Sequence, residues 1–420
     1  MLQAMFAGVS GLQAHQTKLD VIGNNIANVD TTGFKAGRVT FEDQLSQTLR
    51  YAAGPNATLG GQNAKQVGLG VTLGAVDTLQ TQGNLQSTGK QTDLAIQGGG
   101  FFLVSNGSDV SYTRDGSFDL DSEGNLVNPS NGLRLVGYSA DKDGKIDLTK
   151  ALDNNSTIKI PVGTLTAVKA TQNANLQGNL NATAPAGTWT TSVKVFDSLG
   201  VGHNLTYKFT KSALDATAPA GASSQWGWAV TEGTSPITDS TTSGNSPLYF
   251  DTKGALTNKA PITLNLTPIG ADPLSVNVDI ASISQLAGDS SVTTISQDGF
   301  PVGTLQTFAI TPNGVVSGIF NNGQTQVLGQ VATASFSNPA GLEKLGENLF
   351  RVSSNSGLPQ VGAAAQNGRG KISTGYTEMS NVDLANEFTN MIITQRGFQA
   401  NTKIVSTVDE MMQEIINLKR

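Results

Sequence analysis

The chain has 420 residues, enough for two or three domains with separate cores. Its 26 lysines and arginines against 32 aspartates and glutamates give a net charge of −6 without a basic cluster, so we expect no nucleic-acid partner. The absence of cysteine excludes both a disulfide framework and a thiolate metal site.

The beginning of the chain shows no pattern of a cleaved secretory signal. The first cationic side chain is Lys18, so the basic and apolar regions of such a signal are not found. No window approaches 18 consecutive apolar residues, and we expect no membrane insertion. If the protein leaves the cell, we expect a route that needs no cleaved signal peptide.

The first predicted element is a helix of roughly 25 residues, because apolar side chains recur at alternating spacings of three and four. The residues of this stripe are Leu2, Met5, Val9, Leu12, Leu19 and Ile26. Burial of six such side chains and the helical hydrogen bonds roughly balance the cost of ordering the segment. An amphipathic helix on a globular core would show the same periodicity, but a helix this marginal suits packing against other helices.

Residues 21–35 follow the stripe and are rich in turn-forming residues. Gly23, Asn24, Asn25 and Asn28 tolerate left-handed backbone, so we expect them to end the helix and open a defined loop. Gly33 supplies a tight turn further on.

The middle of the chain predicts antiparallel β structure, since short apolar runs alternate with hairpin dipeptides. These dipeptides are Asn106-Gly107, Asp115-Gly116, Asp143-Gly144, Asn313-Gly314 and Asn322-Gly323. From about residue 151 to 290 the chain becomes rich in Thr, Ser, Ala and Pro and holds all three tryptophans. We interpret this stretch as an outer β domain inserted into an inner one.

No constellation of residues in the sequence supports catalysis or cofactor binding. The two histidines, His15 and His203, lie in segments of opposite character, and no nucleotide-binding or protease motif occurs. Residues 119–124 match the start of a calcium loop, but Ser130 stands where a bidentate Glu is needed, so a hairpin turn is the better interpretation. We therefore expect no catalytic, cofactor-binding or metal site.

The last predicted element is a second helix with the same apolar rhythm. Ser380 or Asn381 can cap it, and Asp383 suits its first turn. Its candidate packing residues are Leu384, Phe388, Met391, Phe398, Ile404, Val408, Met411, Ile415 and Leu418. We expect this stripe to be buried by neighbouring helices.

Two runs at opposite ends, residues 21–35 and 380–401, resemble the signatures of the flagellar rod and hook protein family. Within the first run the resemblance marks a loop at Asn24, Asn25, Asn28, Thr32, Gly33 and Phe34. Three internal runs resemble hook proteins: residues 66–71, 196–203, and 323–330 with 336–341. Rod proteins of the family are usually much shorter, so the length favours the hook.

The resemblance implies a mainly β protein with α-helical termini, in which nested antiparallel β domains accompany a terminal coiled-coil domain. The expected layers are helices at 1–25 and 380–420, a connecting segment at 26–70 and 366–379, an inner β domain at 71–148 and 291–365, and an outer one at 149–290. It also implies export through the flagellar type III apparatus and a homopolymer in the extracellular hook. The implied partners are the rod protein, the hook cap and the hook-filament junction proteins.

Two other functions remain open at this point. A distal rod protein of the same family is the first alternative, against which length and the internal runs argue. The second is a secreted carbohydrate-active enzyme or adhesin, which would need paired carboxylates in a cleft or several exposed aromatic residues. Trp226 and Trp228 alternate with Gly227 as in a strand, but nothing in the sequence pairs with them.

Overall fold

The structure is a computed structural model, and it describes residues 2–55, 60–141, 144–163, 165–166, 168–184, 187–216, 218–233, 235–237, 247–268 and 270–418. The chain begins with helix α1, Leu2–Ala27, and ends with helix α2, Leu384–Leu418. Both predicted terminal helices are thereby confirmed. Within the described part of the chain, no helix has the length and apolar character needed to span a membrane.

Helix α2 starts at a cap that the sequence indicated two or three residues too early. The Asp383 side chain, and not Ser380 or Asn381, accepts the backbone N–H groups of Ala385 and Asn386 at 2.9 and 3.2 Å. These are the amide groups that a helix leaves without internal partners, so Asp383 fixes the first residue of α2. Asn381 instead binds Ala36 N through its Oδ1 at 2.8 Å.

A long two-stranded ribbon follows α1. Its strands are β1 (Gly37–Asp43), β2 (Ser46–Arg50), β3 (Lys65–Gly68) and β4 (Val71–Thr78). β1 pairs with β4 and β2 pairs with β3, both antiparallel, and backbone bonds from Gln44 to Gly70 and from Leu69 to Leu45 join the two parts. The side chain of Gln3 donates to Gln47 at 2.7 Å, so the ribbon lies beside the first turn of α1.

The inner β body is built from segments on both sides of the outer one. Its first strands are β5 (Leu85–Ser87), β6 (Leu94–Gln97), β7 (Phe101–Ser105), β8 (Val110–Thr113), β9 (Asp119–Leu120), β10 (Leu126–Val127), β11 (Arg134–Leu135), β12 (Gly137–Ser139) and β13 (Leu165–Thr166). Thirteen strands of the body form one branched sheet, and their apolar side chains fill two adjoining cores.

The outer β body lies entirely between β13 and the next inner strand. Its strands are β14 (Asn173–Asn179), β15 (Thr188–Phe196), β16 (Gly202–Ser212), β17 (Ser224–Glu232), β18 (Ser235–Ile237), β19 (Leu248–Phe250), β20 (Ile262–Leu266), β21 (Leu274–Ser284) and β22 (Thr293–Gln297). They form a four-stranded and a five-stranded sheet around one core that contains Trp226 and Trp228. β14 pairs with β21 in parallel, an exception to the predicted antiparallel pairing.

The chain then returns to the inner body. The returning elements are β23 (Gly303–Ile310), β24 (Val315–Phe320), β25 (Thr325–Ser335), a 3-10 turn at Pro339–Gly341, β26 (Glu343–Gly346), β27 (Leu349–Arg351), β28 (Gln360–Ala363), β29 (Lys371–Thr374) and β30 (Tyr376–Glu378). β23 pairs with β13 across the whole outer body, which confirms the nested arrangement. The exact domain limits given above stay predictions.

Most of the predicted hairpin turns occur, with one exception. Gly107, Gly314 and Gly323 have positive φ and join paired strands. Asp115-Gly116 is not a hairpin: Gly116 is needed because a Cβ there would lie 1.5 Å from Leu94 O. For Asp143-Gly144, Gly144 has a φ of 72°, while Asp143 lies outside the described residues.

Candidate subunit-packing surface and its junction with the β body

The two terminal helices meet along a seam of small residues. A Cβ on Gly8 would lie 3.2 Å from Val405 Cγ2, and one on Gly11 would lie 2.5 Å from Asn401 Nδ2. One on Gly397 would lie 2.8 Å from His15 Nε2, so the two helices run antiparallel at close range. The chain therefore joins its ends through glycines that carry no hydrophobic periodicity, and sequence reasoning missed this seam.

The predicted stripe of α1 lies largely outside the seam. Val9 is exposed, and the side chain of Leu2 falls outside the described residues. The half-buried members are Met5, Leu12, Leu19 and Ile26. Phe6, which the stripe did not include, is 63% exposed. A single chain thus leaves much of the apolar surface of α1 uncovered.

The predicted stripe of α2 is even more open. Val408 is the one member that the chain itself buries, and Met391 and Phe398 are half-buried. The exposed members are Leu384, Phe388, Ile404, Met411, Ile415 and Leu418. Ile392, Ile393 and Ile416 add to the same exposed surface. We call these nine exposed side chains the α2 apolar surface.

The signature loop ties α1 to the ribbon and the inner body in a way that differs from the prediction. Helix α1 continues to Ala27, so Gly23, Asn24 and Asn25 are helical, and none of the three asparagines has positive φ. Asn25 does not bond its own turn, because its side chain accepts from Gly37 N at 2.9 Å and donates to Gly37 O at 2.8 Å.

The remaining loop residues contact the inner body. The Asn28 amide donates to Asn24 O at 2.8 Å, and Thr32 donates to Asp115 Oδ1 at 3.0 Å. Gly33 makes the predicted tight turn with φ of 69°, and a Cβ there would lie 2.5 Å from Asp115 N. Phe34 is buried with the Lys344 ammonium 5.0 Å from its ring centre.

A buried charge cluster lies directly below this loop. Glu378 accepts from Lys35 Nζ at 2.6 Å and from Arg114 Nη1 at 3.1 Å, and the Glu378 and Lys35 side chains have no exposed area. Lys35 also donates to Thr81 O at 2.7 Å and Arg114 to Gly98 O at 2.8 Å. Burial lowers the pKa of Lys35 and of Arg114, and Glu378 opposes that shift in both. The cluster joins three distant segments of the chain.

A hairpin of the inner body closes over the same loop. Strands β26 and β27 are linked by Glu347 and Asn348, both in left-handed backbone with φ of 52° and 58°. Lys344 donates to Lys35 O at 2.9 Å, and Asn348 donates to Thr32 O at 2.8 Å. Burial lowers the pKa of Lys344. The helix pair is therefore fastened to the β body by charged and polar contacts that a sequence pattern cannot indicate.

The groups considered for chemistry occupy structural positions. Asp121 accepts the backbone N–H groups of Glu123 and Asn125 at 2.9 and 2.7 Å, as in the predicted hairpin turn. His15 packs between the helices and the Phe41 ring, 5.9 Å away between ring centres. Among the described residues, no group of three or more His, Cys, Asp or Glu side chains could hold a metal ion.

His203 makes a charged cluster of its own in the outer body. Its Nδ1 lies 2.5 Å from Glu232 Oε1 and its Nε2 lies 3.2 Å from Asp197 Oδ2. Burial opposes protonation of this imidazole, but the hydrogen bonds to Glu232 and Asp197 outweigh it and raise the pKa of His203. The arrangement links the β15–β16 turn to β17.

Four family models match successive parts of the chain, and all of them describe flagellar proteins. Residues 5–35 match the model of the flagella basal body rod protein, and residues 95–176 match the D1 domain of the flagellar hook proteins FlgE/F/G. Residues 164–300 match the D2 domain of the flagellar basal body protein FlaE, and residues 373–418 match the C-terminal region of the basal body rod proteins FlgEFG. The chain is thus an axial protein of the flagellar rod and hook class.

Relatives that match over the full length of the chain identify the family within this class. The flagellar hook protein FlgE of Borreliella burgdorferi is 40% identical, with 100% of each chain covered. The basal-body rod protein FlgG of Bacillus subtilis is 31% identical, also with 100% of each chain covered. A crystal structure of the Helicobacter pylori hook protein FlgE2 shares the fold, with a TM-score of 0.52 and 17% identity over 70% of this chain and 100% of that one. This chain belongs to the flagellar hook protein family.

Proposed function

We propose that this chain is the structural subunit of the flagellar hook, a flexible tube that couples the rod to the filament and transmits torque. The observation that carries this proposal is the α2 apolar surface. Nine large apolar side chains stay exposed on a helix that is already packed on its partner helix. A soluble monomer rarely leaves so many large apolar side chains of one helix in water, so neighbouring copies are their natural cover.

In this proposal each segment of the chain has its own place in the polymer. The helices of 1–25 and 380–420 form the inner tube, the connecting segment lies at 26–70 and 366–379, and the β domains at 71–148 with 291–365 and at 149–290 form the outer layers. The chain is no enzyme, and it contacts the rod protein, the hook cap and the hook-filament junction proteins. It reaches the extracellular hook through the type III export apparatus without cleavage of a signal peptide.

A distal rod protein is the second candidate, and the rod relative from Bacillus subtilis is the observation that favours it. A rod would need subunits held rigidly against one another. Purified polymer distinguishes the two functions, because a hook polymer bends or curves under the electron microscope while a rod polymer stays straight.

The test of assembly places a carboxylate on the α2 apolar surface. Ile392→Asp and Ile415→Asp should both abolish polymerisation, since a charge buried between subunits costs several kcal/mol in every copy. The melting temperature of the monomer should stay unchanged, because both side chains are exposed in the single chain. Sedimentation and electron microscopy measure the polymer, and circular dichroism measures the monomer.

Thr402→Asp is the matched control, because Thr402 is an exposed polar residue of the same helix. It should polymerise normally. Normal polymerisation of both isoleucine variants would refute a role for the α2 apolar surface in assembly. Val408 is a poor site for this test, since it is already buried within one chain and its substitution would disturb the monomer.

A further inference from the structure

The outer part of the ribbon has one apolar and cationic face. Register pairs Gln47 with Val67, and alternation places Leu45 and Leu49 on the same face. A bulge between Thr48 and Arg50 lets Arg50 pair with Lys65, two residues from Val67, so both cations join that face. Leu45 and Leu49 are 65% and 64% exposed. We call Leu45, Leu49, Arg50, Lys65 and Val67 the ribbon face.

The last turns of α2 form a second open surface. Gly8 faces Val405 in an antiparallel helix pair, so residues 2 and 411 lie at about the same position along the helix axes. The rest of α2, through Leu418, therefore extends past the first residue of α1. Met411, Ile415 and Leu418 are exposed there. We call residues 411–418 the α2 overhang.

Exposed side chains of opposite charge accompany the two surfaces. Residues 44–76 contain Arg50 and Lys65 and no acid. Near the end of α2, Asp409 and Glu410 lie just before the overhang and Glu414 lies within it, and all three carboxylates are exposed. Complementary charge around matching apolar side chains favours docking and suppresses pairing of each surface with itself.

Both surfaces also lie at the same end of the subunit. The Gln3 side chain, in the first turn of α1, donates to Gln47 of the ribbon, and the α2 overhang begins beside that turn. Neither surface is covered within one chain, as the exposure of Leu49 and Leu418 demonstrates. Two copies set side by side would therefore bring a ribbon of one to the helix end of the other.

We propose that the ribbon face of one subunit packs on the α2 overhang of a second copy. The inference rests on the proposed function, because it names the surfaces by which neighbouring subunits of the polymer meet. Leu49 lies against the Ile415 side of the overhang, and Arg50 and Lys65 face Glu414 in the overhang and Glu410 just before it. The ribbon thus acts as a strap that holds the end of a neighbouring helix.

Cysteine cross-linking tests this contact cleanly, since the chain has no cysteine of its own. Chains with Leu49→Cys and chains with Ile415→Cys are mixed, polymerised and mildly oxidised, and linked peptides are identified by mass spectrometry. Disulfides need Cβ atoms about 4 Å apart, so the mixed pair should link about fivefold more than controls. The controls are Ser46→Cys, on the opposite ribbon face, and Gln413→Cys, on the opposite side of α2.

The outcomes separate the contact from the proposed function. A polymer without mixed links above the controls, or with links only between two Leu49→Cys chains, overturns the contact and leaves the assembly function standing. Failure of the unsubstituted chain to polymerise overturns the assembly function and the contact with it.

Charge exchange gives an independent measurement should a cysteine variant assemble poorly. Reversing Arg50 and Lys65 to Glu, or Glu410 and Glu414 to Lys, should each slow polymerisation about tenfold. Combining the four substitutions should restore the rate. A combination slower than either pair would overturn the contact.

Discussion

Helix α2 and the outer β body differ in how much of their apolar side chains one chain buries. Along strand β16, Leu205, Tyr207 and Phe209 are buried and alternate with more exposed residues, so the period of two is satisfied inside the chain. Among the described side chains of α2, only Thr394 and Val408 are buried, although its apolar residues follow a helical rhythm. The outer β body buries its apolar residues within one chain, whereas helix α2 leaves most of its large apolar residues exposed.

This difference shows what an apolar pattern establishes. The pattern identifies which side chains leave water, and it does not tell whether the same chain or a neighbour covers them. In α2 the seam with α1 uses glycines and Asn401, so most of the large apolar residues stay exposed. A monomer that keeps its outer body folded while its helix pair remains weakly held is the expected consequence.

The largest expected effect is the difference in monomer stability between two variants, each of which removes one large side chain from one of the two regions. Trp226 is buried in the outer core, so Trp226→Ala should lower the stability of the monomer by about 3–5 kcal/mol. Phe388 is half exposed on α2, so Phe388→Ala should change monomer stability by less than about 0.5 kcal/mol while weakening the polymer. Urea denaturation of both variants measures the contrast, and equal losses in the monomer would remove it.

The junction between the helix pair and the inner β body should be nearly as sensitive. Glu378→Gln leaves Lys35 and Arg114 buried without a counter-charge, which should cost about 3–5 kcal/mol. Glu343→Gln is the control, because its pair with Arg351 at 2.7 Å is exposed and should be worth about 0–1 kcal/mol. Denaturant unfolding of the inner body gives both values. Similar small losses would mean that the buried cluster does not hold the helix pair to the β body.

Sequence reasoning succeeded where local chemistry decides the structure. The terminal helices follow from apolar spacing, and the Asn106, Asn313 and Asn322 hairpins follow from a following glycine with positive φ. Asn24 and Asn25 were expected to end the helix because their composition suits a turn, but α1 continues to Ala27 and Asn25 serves a contact with Gly37. Asn28 does follow the last residue of the helix. A long-range partner overrides a local preference.

The junction could not be predicted, since its members are far apart in the chain. Lys35 and Glu378 are separated by 343 residues, and neither belongs to a motif that names the other. The glycine seam was missed because a glycine adds nothing to a hydrophobic rhythm, even where the close approach of a helix requires it. The domain limits and the packing roles of the candidate residues stay predictions.

A smaller effect should follow from widening the glycine seam. Gly11→Leu places side-chain atoms where Asn401 lies, so we expect a loss of about 1–3 kcal/mol in helix pairing and a lower helix content of the monomer. Gly23→Ala is the matched control: Gly23 lies in the same helix with nothing near its Cβ position, so alanine should stabilise α1 by up to about 1 kcal/mol. Circular dichroism follows both changes. Equal helix content in the two variants would show that the helices do not pair closely.

The smallest effect concerns pH and separates the outer body from the helix pair. Because Glu232 and Asp197 raise the pKa of His203 above its unfolded value of about 6.5, the protonated form is favoured in the folded state. Its contribution is therefore fully present below the unfolded pKa and is lost as the pH rises through the folded pKa. His203 and Asp197 are largely buried and Glu232 is 39% exposed. Even at the worth of an exposed pair, about 0.2–1 kcal/mol, the outer body should melt slightly higher at pH 6 than at pH 9. His203→Gln should flatten this difference, while Gly23→Ala should keep it, since Gly23 is in α1. If the wild-type and His203→Gln melting temperatures ran parallel over this range, the imidazole would not be acting as the charged link between the β15–β16 turn and β17.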